Sequence, residues 1–308
     1  MLGQCLGDAL GFPVEGYVAD VCRQYVTGVL RRGKGGTVGR PPFPFGQYTD
    51  DSRLAREILV SYRERGRFDP ADCASGIAPL LAGGGMTGRG RATEEAAAAE
   101  APAGKSSALG AEAIGLLFWD DPGELVRAAR DQGRITHRDS RSPGGAVAVA
   151  GAVALALRGE TERRSFLSRI SEWSGSVDAT MGEAVGSLEE WVDLPPGDAV
   201  ARIRGLGLEG AGEKQWRGIS ASIVASVLWS LYAFLRAPDD YWEAVCLAIS
   251  AGGDVDTMAA TAGAVSGARL GIEALPRELT GRLTDRGTWG CRELRLLAED
   301  CYRLKEGV

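Results

Sequence analysis

Four aspartates in two distant clusters, Thr49-Asp50-Asp51-Ser52 and Gly252-Gly253-Asp254-Val255-Asp256-Thr257, are the residues best placed to do chemistry in this chain. With the neighbouring hydroxyls they offer an all-oxygen donor set, which suits hard divalent cations such as Mg²⁺ or Mn²⁺. Carboxylates gathered without a cation repel one another and hold on to protons. A fold that brings these four together is therefore expected to bind metal there. Taken alone, the first cluster also reads as an ordinary helix start, with Thr49 as N-cap and acids in the first turn complementing the helix dipole. The second is more specific. Its double glycine permits a sharp turn after the apolar run 245–250, and two carboxylates can then converge before a helix beginning at Thr257.

Helices have to position these groups, and helical signals dominate. Apolar residues recur at helical spacing in 54–62, 111–118, 146–157, 219–235 and 242–249, punctuated by proline and glycine at 42–46, 122–123, 143–145 and 195–197. The expected fold is all-α, one compact multi-helix domain over 1–308. Gly3, Gly7 and Gly11 near the start, and Gly263, Gly267 and Gly271 near the end, repeat at four-residue spacing. On a helix that spacing makes a smooth stripe against which another backbone can pack. Glycine costs about 1 kcal/mol in a helix relative to alanine, so a stripe implies that close approach is required.

A net charge of −6 argues against a broad nucleic-acid interface, which needs a basic face. Six cysteines without a CxxC pair read as reduced thiols of a cytoplasmic protein. No signal-peptide pattern opens the sequence, and the apolar stretch 219–235 falls short of a membrane span. The expectation is a soluble intracellular protein with neither nucleic acid nor membrane as partner.

Gly7-Asp8-Ala9-Leu10-Gly11 followed by Glu15, then Thr49-Asp50-Asp51-Ser52, then Gly252-Gly253-Asp254-Val255-Asp256-Thr257 with Gly263-Ala264 and Gly267-Ala268, resembles the ADP-ribosylglycohydrolases, the family of the dinitrogenase-reductase-activating glycohydrolase. The similarity runs in the same order from the first residues to about residue 273. It implies a binuclear Mg²⁺ or Mn²⁺ site and hydrolysis at the ribose anomeric carbon of an ADP-ribosylated protein or an NAD-derived small molecule. It makes Thr49, Asp50, Asp51, Asp254, Asp256 and Thr257 metal ligands, and assigns catalysis to Glu15, Asp51 and Asp256. Ser52, Gly252 and Gly253 fall to the substrate side. So do Thr136, His137, Arg138 and Arg141, where the family carries a Thr-His pair beside its cleft and where arginine forks suit a pyrophosphate. Two metals about 3.5–4 Å apart can grip ribose hydroxyls and hold a water through an oxocarbenium-like transition state. Glu15 or a metal-bridging aspartate would take the proton.

Two segments frame that site. The loop of about 31–47, with Arg31, Arg32, Lys34 and Arg40 and no acid between them, reads either as a mobile lid over a phosphate-bearing substrate or as a solvated basic loop. The glycine- and alanine-rich stretch of about 83–105 reads as variable. Beyond it the sequence departs from the family, with Gly110 at the usual arginine and Ala113 at the usual proline. That change falls where the distal ADP-ribose should be cradled and points towards a free nucleotide or NAD-derived substrate. Gly83-x-Gly85-x-x-Gly88 and Gly104-Lys105-Ser106 are partial phosphate-binding patterns without the βαβ setting or full glycine set they need. An isoprenoid synthase is a poorer reading, since Leu54 replaces the third aspartate of its motif. A non-catalytic ADP-ribose-binding relative is another alternative; it would gain from neutral replacements of the acids, and none is made.

Overall fold

The computed structural model describes residues 1–82, 110–136, 141–207 and 218–307. Among them the chain runs α1 (Leu2–Gly11), α2 (Ala19–Gly28), α3 (Asp50–Arg65), α4 (Pro70–Ala82), α5 (Ala111–Leu117), α6 (Pro122–Thr136), α7 (Ser142–Leu157) and α8 (Arg163–Gly175). It continues through α9 (Ala179–Trp191), α10 (Pro196–Ile203), α11 (Ile223–Arg236), α12 (Tyr241–Ser250), α13 (Val255–Leu270), α14 (Arg277–Thr280) and α15 (Cys291–Glu306). No sheet forms among the described residues; only isolated bridges occur, including Gln47 with Thr284 and Ile219 with Gly253. The all-α, single-domain expectation therefore holds. The helix expected from Ile219 starts at Ile223, because Ile219 extends to bond Gly252 and Asp254 backbone instead.

Four helices make the centre. Every residue of α1 is buried, as are residues 142–156 of α7, 223–235 of α11 and 255–266 of α13. α7 is apolar all round, the pattern of a helix enclosed by others. α1 and α13 lie antiparallel at backbone contact: a Cβ added to Gly3 would sit 2.4 Å from Gly263 O, one on Gly7 would sit 2.0 Å from Ala259 O, and one on Gly11 would sit 2.6 Å from Asp256 Cα. The glycine stripe is thus real, with one correction. Gly271 is not part of it; it caps the end of α13 at φ 76° and has open space around it, while Ala259 and Asp256 complete the opposing surface.

The outer elements clamp this centre. α15 packs on α3, with Cys301 Sγ donating to Leu59 O at 3.2 Å. The segment 283–290 turns back through Asp285 and Thr288, whose backbones bond each other, with positive φ at Arg286 and Gly287. That segment grips the stretch leading into α3: Thr284 N donates to Gly46 O at 2.9 Å, and Tyr48 OH donates to Trp289 O at 3.0 Å. Below it, Asp285 pairs with both Arg53 and Arg56 of α3, the latter at 2.7 Å. All six cysteines are free, and no described helix is long and apolar enough to cross a membrane.

Candidate active site

The two aspartate clusters meet. Thr49 is the N-cap of α3, its hydroxyl accepting from Asp51 N, which leaves the Asp51 side chain pointing off the first turn towards α13. There Thr257 Oγ1 donates to the Asp51 carboxylate, 3.2 Å from each oxygen, joining residues 206 apart in sequence. The double glycine behaves as its chemistry requires: Gly252 and Gly253 take φ of 71° and 90°, and a Cβ on Gly253 would stand 2.0 Å from Ile219 O. α13 starts at Val255, so Asp256 and Thr257 already lie in its first turn. Glu15, from the turn after α1, completes the group; carboxylate oxygens of Glu15, Asp254 and Asp256 all lie within 4.8 Å of one another.

The electrostatics are those of acids forced together. Thr49, Asp51, Asp254, Asp256, Thr257 and Glu15 are all buried, and Asp50 is half-buried. Burial, then repulsion from Asp256, pushes the Asp51 carboxyl well above its usual range. Glu15 is raised by the same two causes, against the pull of Arg40, whose Nη1 lies 2.6 Å from Glu15 Oε2. Burial also lifts Asp256, to about 6, although backbone N–H groups of Thr257 and Asp256 favour its charged form. Asp256 Oδ1 is buried and accepts no hydrogen bond. An uncompensated oxygen in such a cluster is costly unless something positive faces it. The donor set, carboxylates and threonine hydroxyls without sulfur or imidazole, fits a hard divalent cation.

Other expected residues fall elsewhere. Ser52 is fully enclosed, and its hydroxyl donates to Asp8 Oδ2 at 2.7 Å, so it faces α1 rather than a substrate cleft. Gly252 and Gly253 spend their backbone groups on the protein: Gly253 N donates to Tyr17 O, Gly16 N to Gly253 O and Ile219 N to Gly252 O. Arg141 Nη1 donates to Gly207 O at 2.8 Å. Thr136 closes α6, but its side chain, with His137 and Arg138 and the stretch 83–105, lies outside the described residues.

The loop at 31–47 is tied down at several points. Arg31 pairs with Glu243, Arg40 also donates to Phe12 O, and the Arg40 guanidinium stacks 5.0 Å over the Phe12 ring. Two participants do not stand out in the sequence: Arg40 is one cation among four in its loop, and Asp8 one residue of a glycine motif. Asp8 is fully enclosed and takes hydrogen bonds from Thr49 N, Ser52 N and Ser52 Oγ. Its position one turn after Gln4, between Gly7 and Gly11, was the only available signal.

The chain as a whole matches known proteins. The family model described as ADP-ribosylglycohydrolase matches residues 1–308. The ADP-ribosylhydrolase ARH3 of Xenopus tropicalis is 28% identical, over 90% of this chain and 87% of the relative. The ADP-ribosyl-[dinitrogen reductase] glycohydrolase of Rhodospirillum rubrum is 24% identical, over 89% and 85%. A solved structure titled "ADP-ribosylglycohydrolase-related protein complex" superposes with a TM-score of 0.70 at 25% identity, covering 99% of this chain and 95% of that one.

Proposed function

Since the chain belongs to the ADP-ribosylglycohydrolase family, we propose that it is a metal-dependent glycohydrolase that cleaves the bond at the ribose anomeric carbon of an ADP-ribosylated protein or small molecule and releases ADP-ribose. The observation that carries the reading is the meeting of Asp51, Asp256 and Thr257 across 206 residues in a buried site where Asp256 Oδ1 has no partner. Thr49, Asp50, Asp51, Asp254, Asp256 and Thr257 would hold two Mg²⁺ or Mn²⁺ ions. Bound there, such ions supply a water of lowered pKa and a grip on the ribose hydroxyls.

The chain's own groups divide the remaining work. Cleavage builds positive charge on the ribose ring, and the buried carboxylates oppose that charge in a site largely closed to water. Glu15 is the proton acceptor: its carboxylate lies within 4.8 Å of those of Asp254 and Asp256, and Arg40 favours its charged form against burial and Asp256. Asp51 and Asp256 orient the sugar from opposite helices. Thr136, His137, Arg138 and Arg141 bind the distal phosphates and base.

One observation favours a second substrate class, a free NAD-derived metabolite. Gly110, which stands at the family's usual arginine, takes φ 90°, and a Cβ there would meet Ile58 Cδ1 at 2.7 Å. An arginine in that backbone conformation would be strained, so the distal cradle is built differently.

The test is a panel of ADP-ribosyl-arginine, ADP-ribosyl-serine, NAD and free ADP-ribosyl compounds, incubated with Mg²⁺ or Mn²⁺ and with chelator, with products read by mass spectrometry. Metal-dependent release of ADP-ribose or a related ribosyl nucleotide is expected. Wild type should gain thermal stability with metal, and Asp256→Ala should not; at 100 times Kd the gain is about 2.7 kcal/mol. Turnover of every substrate unaffected by chelator would refute the metal, and turnover of none would refute the activity.

A further inference from the structure

We infer that Asp8 is a positioning residue for the metal site, and that α1 sets the distance between the two aspartate clusters; this deepens the function proposed above and rests on it. α1 carries two faces. Gly3, Gly7 and Gly11 press against the backbone of α13, and a Cβ on Gly11 would meet Asp256 Cα and Val255 O, each at 2.6 Å. Gln4 and Asp8, four residues apart and so on a shared face, turn instead to α3. Gln4 Nε2 donates to Asp51 O at 3.1 Å. The Asp8 carboxylate receives Thr49 N at 3.0 Å from both oxygens, Ser52 N at 3.2 Å and Ser52 Oγ at 2.7 Å.

The first turn of a helix has N–H groups with no partner inside the helix. Thr49 answers one of them locally, by accepting from Asp51 N. Asp8 answers the N–H of Thr49 and of Ser52 from a different helix, so the start of α3 is docked on α1 at the residues flanking Asp50 and Asp51. The glycines on either side of Asp8, Gly7 and Gly11, meet α13 at Ala259 and at Asp256. Asp51 and Asp256 are therefore spaced by one rigid turn of α1.

A carboxylate suits this task and an amide does not. Asp8 accepts every one of these bonds with two acceptor oxygens. Asparagine could set its oxygen where Oδ2 now takes all three donors, but its NH₂ would then stand where Oδ1 accepts from Thr49 N, donor against donor in a buried site. A buried carboxylate without a cation beside it is disfavoured by both desolvation and its acidic neighbours. Its presence in the fold is accounted for by what it orients.

The experiment uses the full chain, with Mn²⁺ as the probe. Wild type, Asp8→Asn and Ser52→Ala are titrated by calorimetry for Mn²⁺ Kd, and their melting temperatures are measured separately in chelator. Groups that orient metal ligands typically cost about 10–100-fold in affinity when altered. Asp8→Asn is expected to raise Kd by at least about tenfold. Ser52→Ala, which keeps the carboxylate and both backbone bonds, is expected to raise it by less than Asp8→Asn does. If both variants melt lower in chelator yet bind Mn²⁺ as wild type does, Asp8 is merely structural and the inference fails. If Asp8→Asn does not fold, Ser52→Ala decides, and an unchanged Kd there also overturns it. A wild type that binds no Mn²⁺ removes the proposed function itself, and the role of Asp8 with it.

Discussion

Gly7→Ala pits helix propensity against packing, and the structure says which wins. Alanine in place of glycine inside a helix gains about 1 kcal/mol. The added Cβ would lie 2.0 Å from Ala259 O and 2.6 Å from Ala259 C, both backbone atoms that no rotamer change can move. Ordinary contact begins near 3.4 Å, so α1 and α13 must part by more than 1 Å along their length. Overpacking a closed core costs about 1–3 kcal/mol, and a clash with backbone belongs at the upper end. The net is a loss of about 2 kcal/mol. For a chain of 308 residues, with unfolding entropy near 2.1 cal/mol/K per residue, that lowers the melting temperature by about 3 °C. The site should suffer more than the fold. Gly7 is one turn from Gly11 and Asp256, and a misplacement of about 1 Å at a catalytic group costs on the order of 100-fold in rate. The assay is a melting curve with parallel hydrolysis rates, using Gly28→Ala as the control, since a Cβ there meets nothing within 4 Å. The control should gain about 0.4–1 kcal/mol and keep wild-type turnover. A Gly7→Ala protein as stable and as active as wild type would refute the close-packing argument.

Two further outcomes follow from buried charge. Burial raises the Glu112 carboxyl from 4.5 to about 7, against hydrogen bonds from Gly110 N and Thr261 Oγ1. Here the folded state holds the proton more tightly than the unfolded chain, so its contribution is whole below about pH 4.5 and is lost as pH rises to about 7. About 2.5 pKa units at 1.36 kcal/mol each make that loss about 3 kcal/mol, and Glu112→Gln should flatten the stability profile over this window. An unaltered profile in urea melts from pH 4.5 to 7.5 would contradict it. Asp285→Ala leaves Arg53 and Arg56 buried without their shared acid and should cost about 3–5 kcal/mol in chemical denaturation; a loss under 1 kcal/mol would mean that water or Glu57 replaces it.

How much of this the sequence revealed depended on how local each signal was. Thr49 as N-cap and the turn at Gly252-Gly253 were legible because capping and positive φ are properties of a few adjacent residues. The meeting of the two aspartate clusters was legible because their residue types conflict with solitary burial. The partner of Asp8 was not, since its acceptors serve backbone N–H groups 41 and 44 residues away, and a backbone amide carries no mark in a sequence. Arg40 was hidden among like charges, and its contacts with Glu15 and Phe12 are what tell it from Arg32. Asp285 looks like any aspartate in a Thr-Asp-Arg-Gly turn. The four-residue glycine period predicted the close approach correctly but ran one step too far, because Gly271 serves chain reversal and the period itself does not distinguish the two uses.

The antiparallel seam of α1 and α13 also has a consequence for biosynthesis. α1 is made about 240 residues before α13, the surface that receives it. At roughly 5–20 residues per second, translation leaves α1 without its seat for roughly 12–50 s. During that interval Gln4 and Asp8 can already meet α3, but the glycine face of α1 lacks the backbone it packs against, and long-range closure of this kind is slow. Chains arrested after Ser250 should be captured by holdase chaperones or precipitate, whereas full-length chains should not. Recovery of such a truncation as a monodisperse, protease-resistant protein would show that α1 finds shelter elsewhere while it waits.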